Sequence, residues 1–263
     1  MKRGEYRMAK ASDEDDSSGP PQPGFTEVGP NDLPAPPAQP NLRARVFQVS
    51  FSAALLFYTL LAVAARARAY FACDVSIAER IQMISLPGFD HLMIWISWLG
   101  GGVPPVALAV LAGLGLALAG LRSEAVVCSF GTAMGSGVDS LLKLLSNRPR
   151  PAPPLVHVMK HYQHQSFPSG HVFFFVEFFG FLLFLTYVLL RPVPLRLVLV
   201  ILLSCLIILV GISRVYLGAH WPSDVAGGYL GGGIWLSLMI VAYRRLKKPP
   251  ARLPLPLQSD TPG

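Results

Sequence analysis

Charge is what this 263-residue chain has least of. Only 14 % of its residues are Asp, Glu, Lys or Arg, against 52 % apolar, and the mean hydropathy is +0.47. A soluble surface carries about twice that charge, so a large soluble domain is excluded. Cysteine is scarce too. Cys73, Cys128 and Cys205 stand in no metal-ligand spacing, and two of them fall inside apolar runs, which excludes a disulfide framework. The basic residues form no block suited to nucleic acid. They sit at the ends of apolar windows, where lipid headgroups are the natural partner.

The windows themselves are long. Val46–Ala65 is uncharged, and His91–Leu121 has no Asp, Glu, Lys or Arg over 31 residues. Ala125–Leu142 contains only Asp139, and Val172–Leu190 only Glu177. Leu197–Ser213 and Val225–Tyr243 are uncharged. A spanning helix needs about 20 apolar residues. The pattern therefore predicts an all-α polytopic membrane protein with six transmembrane helices.

Six spans put both termini on one side. Fourteen Lys and Arg residues fall on that side and eight on the other, which makes the termini cytoplasmic. Residues 11–40 are rich in Ser, Asp, Glu, Gly and Pro and cannot build a core. The expected organisation is a disordered cytoplasmic tail over 1–42, a membrane domain over 43–247 and a short cytoplasmic tail over 248–263. The first connection contains SIAERIQMI, which reads as a short interfacial helix.

Connections one, three and five emerge on the face opposite the termini, and the polar residues of interest gather there. Lys143 ends the third span, Arg148 and Arg150 follow in NRPRP, and Ser169, Gly170 and His171 open the fourth. Ser213 and Arg214 close the fifth, and His220 and Asp224 precede the sixth. Each feature alone has a plain reading: cations snorkel at helix ends, Pro and Gly mark boundaries, Ser caps helices. Together, cations, two histidines and a carboxylate on one face describe an anion site. The first N–H groups of a helix opening at Ser169 lack internal partners and suit a phosphate. Gly170 lets the backbone approach it. His220 and Asp224 are four apart, so on a helix they share a face. A carboxylate on one imidazole nitrogen leaves the other free to attack. His220 is then the candidate nucleophile and His171 the candidate acid for the leaving alcohol.

These residues resemble the type-2 phosphatidic acid phosphatase (PAP2) superfamily, whose members include membrane lipid phosphate phosphatases, polyprenyl diphosphate phosphatases, soluble acid phosphatases and vanadium haloperoxidases. Its first motif is similar to Lys143, six residues, then Arg150-Pro151. Its second is similar to Pro168-Ser169-Gly170-His171, and its third to Ser213-Arg214, five residues, His220, three residues, Asp224. The resemblance implies a PAP2-type helical bundle in which His220 attacks phosphorus and becomes a phosphohistidine. Asp224 orients it, and His171 protonates the leaving oxygen and then helps activate water. Lys143, Arg150, Ser169, Gly170 and Arg214 hold the phosphoryl oxygens. No cofactor and no metal is implied. The partners implied are a lipid phosphate substrate and membrane lipids, with no nucleic acid. The compact chain is similar to prokaryotic members, which places it in a bacterial plasma (inner) membrane with the site on the extracytoplasmic side. The candidate substrates are phosphatidic acid, phosphatidylglycerol phosphate and polyprenyl diphosphate.

Several residues stand outside those motifs. His157, His161 and His164 have a spacing that suits zinc, but no Cys or acidic ligand accompanies them. Arg148 is expected to touch a second phosphate or the membrane surface. Asp139 is placed to pair with Lys143. Glu177 is a carboxyl inside a span, where such groups face a polar interior. A lipid transporter or flippase, or a non-catalytic membrane scaffold, is the alternative reading. Neither gives a reason for the histidine pair, and a scaffold has no need of both His220 and Asp224. The haloperoxidase branch is soluble, as this chain is not.

Overall fold

The computed structural model describes residues 42–159, 162, 164–191 and 193–247. The tails expected at 1–42 and 248–263 lie, Leu42 aside, outside them. Every regular element among the described residues is a helix: α1 (Leu42–Ala67), α2 (Ala72–Gln82), α3 (Phe89–Leu99), α4 (Pro104–Leu118), α5 (Arg122–Ser146), α6 (Gly170–Leu189), α7 (Val193–Tyr216) and α8 (Pro222–Leu246). Five of these are long and apolar enough to cross a bilayer, and the pair α3–α4 makes a sixth crossing if taken as one bent span. This is an integral membrane protein. Its outer faces are paved with exposed Leu, Ile, Val and Phe, such as Leu56, Leu60, Leu111, Ile201 and Ile208, as a lipid-facing surface requires.

The unbroken span read over 91–121 is corrected by the structure. It is two helices meeting at 62°. The cause is local sequence: Gly100-Gly101-Gly102 at the break, with Gly102 at φ +67°, then Pro104 and Pro105 starting the next helix where a missing N–H costs nothing. The short interfacial helix is present as α2. Gln82 at its end pins the third connection, donating to the His157 carbonyl (2.7 Å) and accepting from the His157 N–H (3.1 Å).

Burial sorts the spans. Two-thirds of the most apolar stretch of α6 (67 %) is buried in the protein, against 6 % for α1 and 17 % for α7, so α6 is the central post. Its buried phenylalanines Phe173, Phe174, Phe175, Phe178, Phe179 and Phe181 fill the middle of the bundle, with Phe174 stacked on Phe178. Without a hydrophobic drive between helices in lipid, close backbone approach supplies the attraction. Gly228 and Gly232 of α8 provide it. A Cβ on Gly228 would meet the Ser169 carbonyl and Val172 at 2.8 Å, and one on Gly232 would meet Val176 at 2.9 Å. At the end of the bundle bearing the C-terminus, Lys247 pairs with buried Glu124 (2.8 Å), which also accepts from Tyr243 Oη (3.1 Å), tying the end of α8 to the start of α5.

Candidate active site

At the opposite end of the bundle a cavity of about 1000 Å³ opens among the broken span α3–α4, α5, α6 and the third connection. Lys143, Arg150, Gly170, His171 and His220 line it. Ser169, Arg214 and Asp224 are buried immediately behind that wall. All eight residues singled out in the sequence thus come to one end of the fold.

Lys143 leans back one turn onto Asp139, the pair expected from their spacing. Gly170 brings its backbone against the Lys143 ammonium and the Asp139 carboxylate, which a Cβ there would have to displace. Ser169 caps α6 from extended backbone, its carbonyl accepting from Phe173 N (2.9 Å). Its hydroxyl is buried and has no partner. His171 follows in the first turn and packs against the glycine break. A Cβ on Gly100 or Gly101 would stand 2.9 Å from its ring. The bend in the α3–α4 span therefore makes room for this imidazole.

Arg214, at the end of α7, is fully buried. It donates to Ser97 Oγ and to Tyr162 Oη (3.3 Å), while its Nε and Nη2 have no hydrogen-bond partner among the described residues. Tyr162 lies between two guanidinium groups, with Arg150 and Arg214 at 4.9 and 5.0 Å from its ring centre. Arg150 is braced by the carbonyls of His164 (2.6 Å), Ala219 (2.7 Å) and Gln165 (3.3 Å). Burial first, then repulsion from Arg214, push its pKa down to about 10, which leaves it fully charged at neutral pH.

Arg150 Nη1 is also 3.1 Å from His220 Nε2. A guanidinium only donates, so Nε2 is the unprotonated nitrogen, and its lone pair accepts from Arg150. The proton is then on Nδ1. That nitrogen faces Asp224 Oδ2 at 3.7 Å, too far for a hydrogen bond. Burial, with Arg150, Arg214 and Lys143 adding to it, holds the His220 imidazole well below its ordinary pKa. It is neutral near pH 7, with its lone pair on Nε2 held by Arg150.

The helical relation expected between His220 and Asp224 is not how they meet. His220 lies before α8, in the turn that Gly218 closes at φ +64°. Asp224 is in the first turn of α8, where its Oδ2 accepts from the Trp221 N–H (2.9 Å) and from Ser166 Oγ. Its Oδ1 is ion-paired with Arg148 (2.6 Å). The expectation for Arg148 is corrected: it is 1 % exposed, not a surface contact. Its other arm holds Asp74 of α2 (2.9 Å), and Asp74 in turn accepts from Ser223 N (2.8 Å) and Ser223 Oγ (2.7 Å). Two buried acids thus share one guanidinium, and Arg150 adds electrostatic attraction to Asp224. The zinc reading of His157, His161 and His164 includes His161, which lies outside the described residues.

Fixed cations, unpartnered donors and an available imidazole lone pair suit transfer of a phosphoryl group. Comparison with known proteins bears on that. Residues 124–248 match the PAP2 superfamily. The chain carries a PAP2 superfamily domain. Phosphatidylglycerophosphatase B of Bacillus subtilis (strain 168) is 29 % identical over 179 residues, covering 66 % of this PAP2 chain and 85 % of its own. The crystal structure of the first transmembrane PAP2 type phosphatidylglycerolphosphate phosphatase from Bacillus subtilis aligns with a TM-score of 0.66 at 26 % identity, over 75 % of this chain and 98 % of that one. Aquifex aeolicus LpxE aligns with a TM-score of 0.51 at 22 % identity, over 66 % and 96 %, a likeness of fold alone.

Within this PAP2 site, the residues that sequence reasoning passed over are Asp74, Ser97, Tyr162, Ser166 and the glycine break. Only the last left a readable signal, a Gly-Gly-Gly-Val-Pro-Pro run inside an apolar window. The shared guanidinium makes a direct prediction. Removing one partner of a buried ion pair typically costs about 3–5 kcal/mol, and here two carboxylates lose theirs. Arg148→Gln is expected to lower the thermal midpoint of the detergent-solubilised protein sharply. Lys143→Gln, which leaves one carboxylate unpaired beside an open cavity instead of two sealed in the protein, is expected to shift it less. Thermal unfolding of both variants checks the order.

Proposed function

We propose that this protein dephosphorylates a membrane lipid phosphate or diphosphate at the extracytoplasmic face, through a phosphohistidine on His220 and without a metal. The observation that carries the reading is the set of buried donors left without partners among the described residues: Arg214 Nε and Nη2 and the Ser169 hydroxyl. Such groups are costly to bury unless a ligand satisfies them, and a phosphoryl group has the oxygens to do so.

In this reading the terminal phosphoryl sits among Lys143, Arg150, Arg214, Ser169 and the Gly170 N–H. His220 Nε2 attacks phosphorus, the phosphoester bond to the lipid breaks, and His171 gives its proton to the departing oxygen. Water then attacks the phosphohistidine, His171 takes back a proton, and inorganic phosphate leaves. Asp224 stabilises the imidazolium that forms when His220 bonds phosphorus. Arg148 holds Asp224 in place and touches neither substrate nor the reacting atoms. The fixed cations neutralise the charge that spreads over the transferring oxygens, the task a metal performs elsewhere. The apolar part of the cavity wall, with Ile94, Trp98, Val106 and Leu144, suits the lipid portion. The name of the Bacillus subtilis relative makes phosphatidylglycerol phosphate the first substrate to try, ahead of phosphatidic acid and polyprenyl diphosphate. A transporter or scaffold offers no use for the lone pair on His220.

Purified protein is expected to release phosphate from at least one of these lipids, to keep its rate in EDTA, and to be inhibited by vanadate, which adopts the geometry of the transferring group. Activity lost with EDTA and restored by a divalent ion would contradict the metal-free reading. The sidedness rests on the excess of Lys and Arg at the end that holds Arg122, Arg244 and Arg245. In a background lacking Cys73, Cys128 and Cys205, a cysteine at Pro154 is expected to react with an impermeant maleimide on intact cells, and one at Leu246 is not. The reverse labelling would put the cavity in the cytoplasm.

A further inference from the structure

The cavity continues past the phosphate-binding cations. Its inner wall, deeper in the bilayer, brings α5 and α6 side by side and carries two acids, Asp139 and Glu177. Glu177 is 0 % exposed to solvent, and neither of its oxygens has a hydrogen-bond partner among the described residues. Asp139 gives Oδ2 to Lys143 and leaves Oδ1 buried and unpartnered. Three orphaned carboxyl oxygens thus belong to one wall. The fold makes deliberate room for them. Glu177 is the middle residue of a π turn over Phe175–Phe179, an insertion that re-aims side chains and gathers at functional sites. Its Oε2 occupies the place a side chain on residue 135 would fill, and Gly135 leaves that place open. Trp235 Nε1, the nearest donor to that place, is committed to the Gly131 carbonyl at 2.9 Å.

The two acids line the same cavity from neighbouring helices. Six residues separate Glu177 from His171, about 9 Å along the axis. Helical side chains lean toward the helix N-terminus, so Glu177 reaches back up toward the phosphate site, while the Asp139 carboxylate stands beside Lys143 and the start of α6 at Gly170. Asp139 acts electrostatically on Glu177. In either protonation state a carboxyl keeps an oxygen that accepts. An intramembrane acid with no partner marks a substrate path by default.

We propose that Asp139 and Glu177 form a second subsite, which accepts a hydrogen bond from a hydroxyl group that the substrate carries close to its phosphoester oxygen. The subsite rests on the lipid phosphatase reading and narrows it. It favours lipids whose phosphate is borne on a polyol, and disfavours polyprenyl phosphates, which bring only hydrocarbon to these oxygens.

The test compares two short-chain substrates that differ in one hydroxyl: dioctanoyl phosphatidylglycerol phosphate and its analogue with propanediol in place of the terminal glycerol. A site built to bond a hydroxyl rejects the analogue lacking it. Wild type is expected to prefer the hydroxyl substrate by about tenfold or more in kcat/KM. Glu177→Leu is expected to shrink that ratio to about threefold or less by slowing the hydroxyl substrate, and Glu177→Gln, which keeps an accepting oxygen, to preserve most of it. Thermal midpoints of both variants control for folding, and a variant that does not fold leaves the wild-type preference itself to decide. Equal rates of wild type on the two substrates, or equal losses on both in Glu177→Leu, would overturn the subsite while leaving the phosphatase reading intact. Wild type inert toward both, and toward phosphatidic acid and farnesyl phosphate, would instead overturn the phosphatase reading and the subsite with it.

Discussion

The Asp224 carboxylate is the constraint on which the rest of this end of the molecule depends. It is fully buried, and four groups from three parts of the chain converge on it. Arg148 and Ser166 belong to the third connection, the Trp221 N–H to the start of α8, and His220 faces it from the turn before. Through Arg148 it also binds α2, by way of Asp74. An ionised carboxylate out of water must be compensated, and each compensating group brings its own segment along. The loop bearing Arg150, the helix start bearing Ser169 and the turn bearing His220 are gathered around one charge. Ser169 N donates to the Asp224 carbonyl at 3.0 Å, so even the backbone takes part.

The arrangement divides the cations by task. Arg148 is spent on carboxylates. Arg214 is buried as deeply and yet keeps two donors free, and Arg150 reaches His220 Nε2 while resting on three carbonyls. The difference lies in what surrounds them: Asp74 and Asp224 saturate one guanidinium, while Ser97 and Tyr162 satisfy only part of another. A membrane bundle that leaves donors unsatisfied at this depth forgoes stability, and an anionic ligand is the form of compensation the geometry admits. The same logic extends inward to the orphaned acids, which leave acceptors where Arg214 leaves donors.

Much of this was legible in the sequence, for physical reasons. Charge-free windows of spanning length can only be helices in lipid, so the six-span plan followed from composition. The bend at Gly100–Gly102 was written there too, but a hydropathy window averages over it. The gathering of Lys143, His171, Arg214 and His220 at one end followed from counting crossings. Two kinds of information were out of reach. The partner of Arg148 is Asp74, 74 residues away in an interfacial helix, and no local spacing announces it. The relation of His220 to Asp224 was read as a helical face, because spacing of four suggests one, whereas a turn closed by Gly218 brings them together. Glu177 stood out as an anomaly within its span, but only the π turn and the empty place at Gly135 explain how it is accommodated.

The central claim is that His220 Nε2, the unprotonated nitrogen of a neutral imidazole, exchanges its bond from Arg150 for the phosphoryl group. The most direct measurement is rapid quenching of the purified protein during turnover of a phosphorus-labelled lipid substrate, followed by peptide mapping under alkaline conditions that preserve phosphohistidine. The account predicts labelled phosphate on His220 and on no other residue, absent in His220→Gln and accumulating in His171→Gln if water activation becomes slow. Turnover with no label on His220 at any quench time, or full phosphate release by a folded His220→Gln protein, would contradict it.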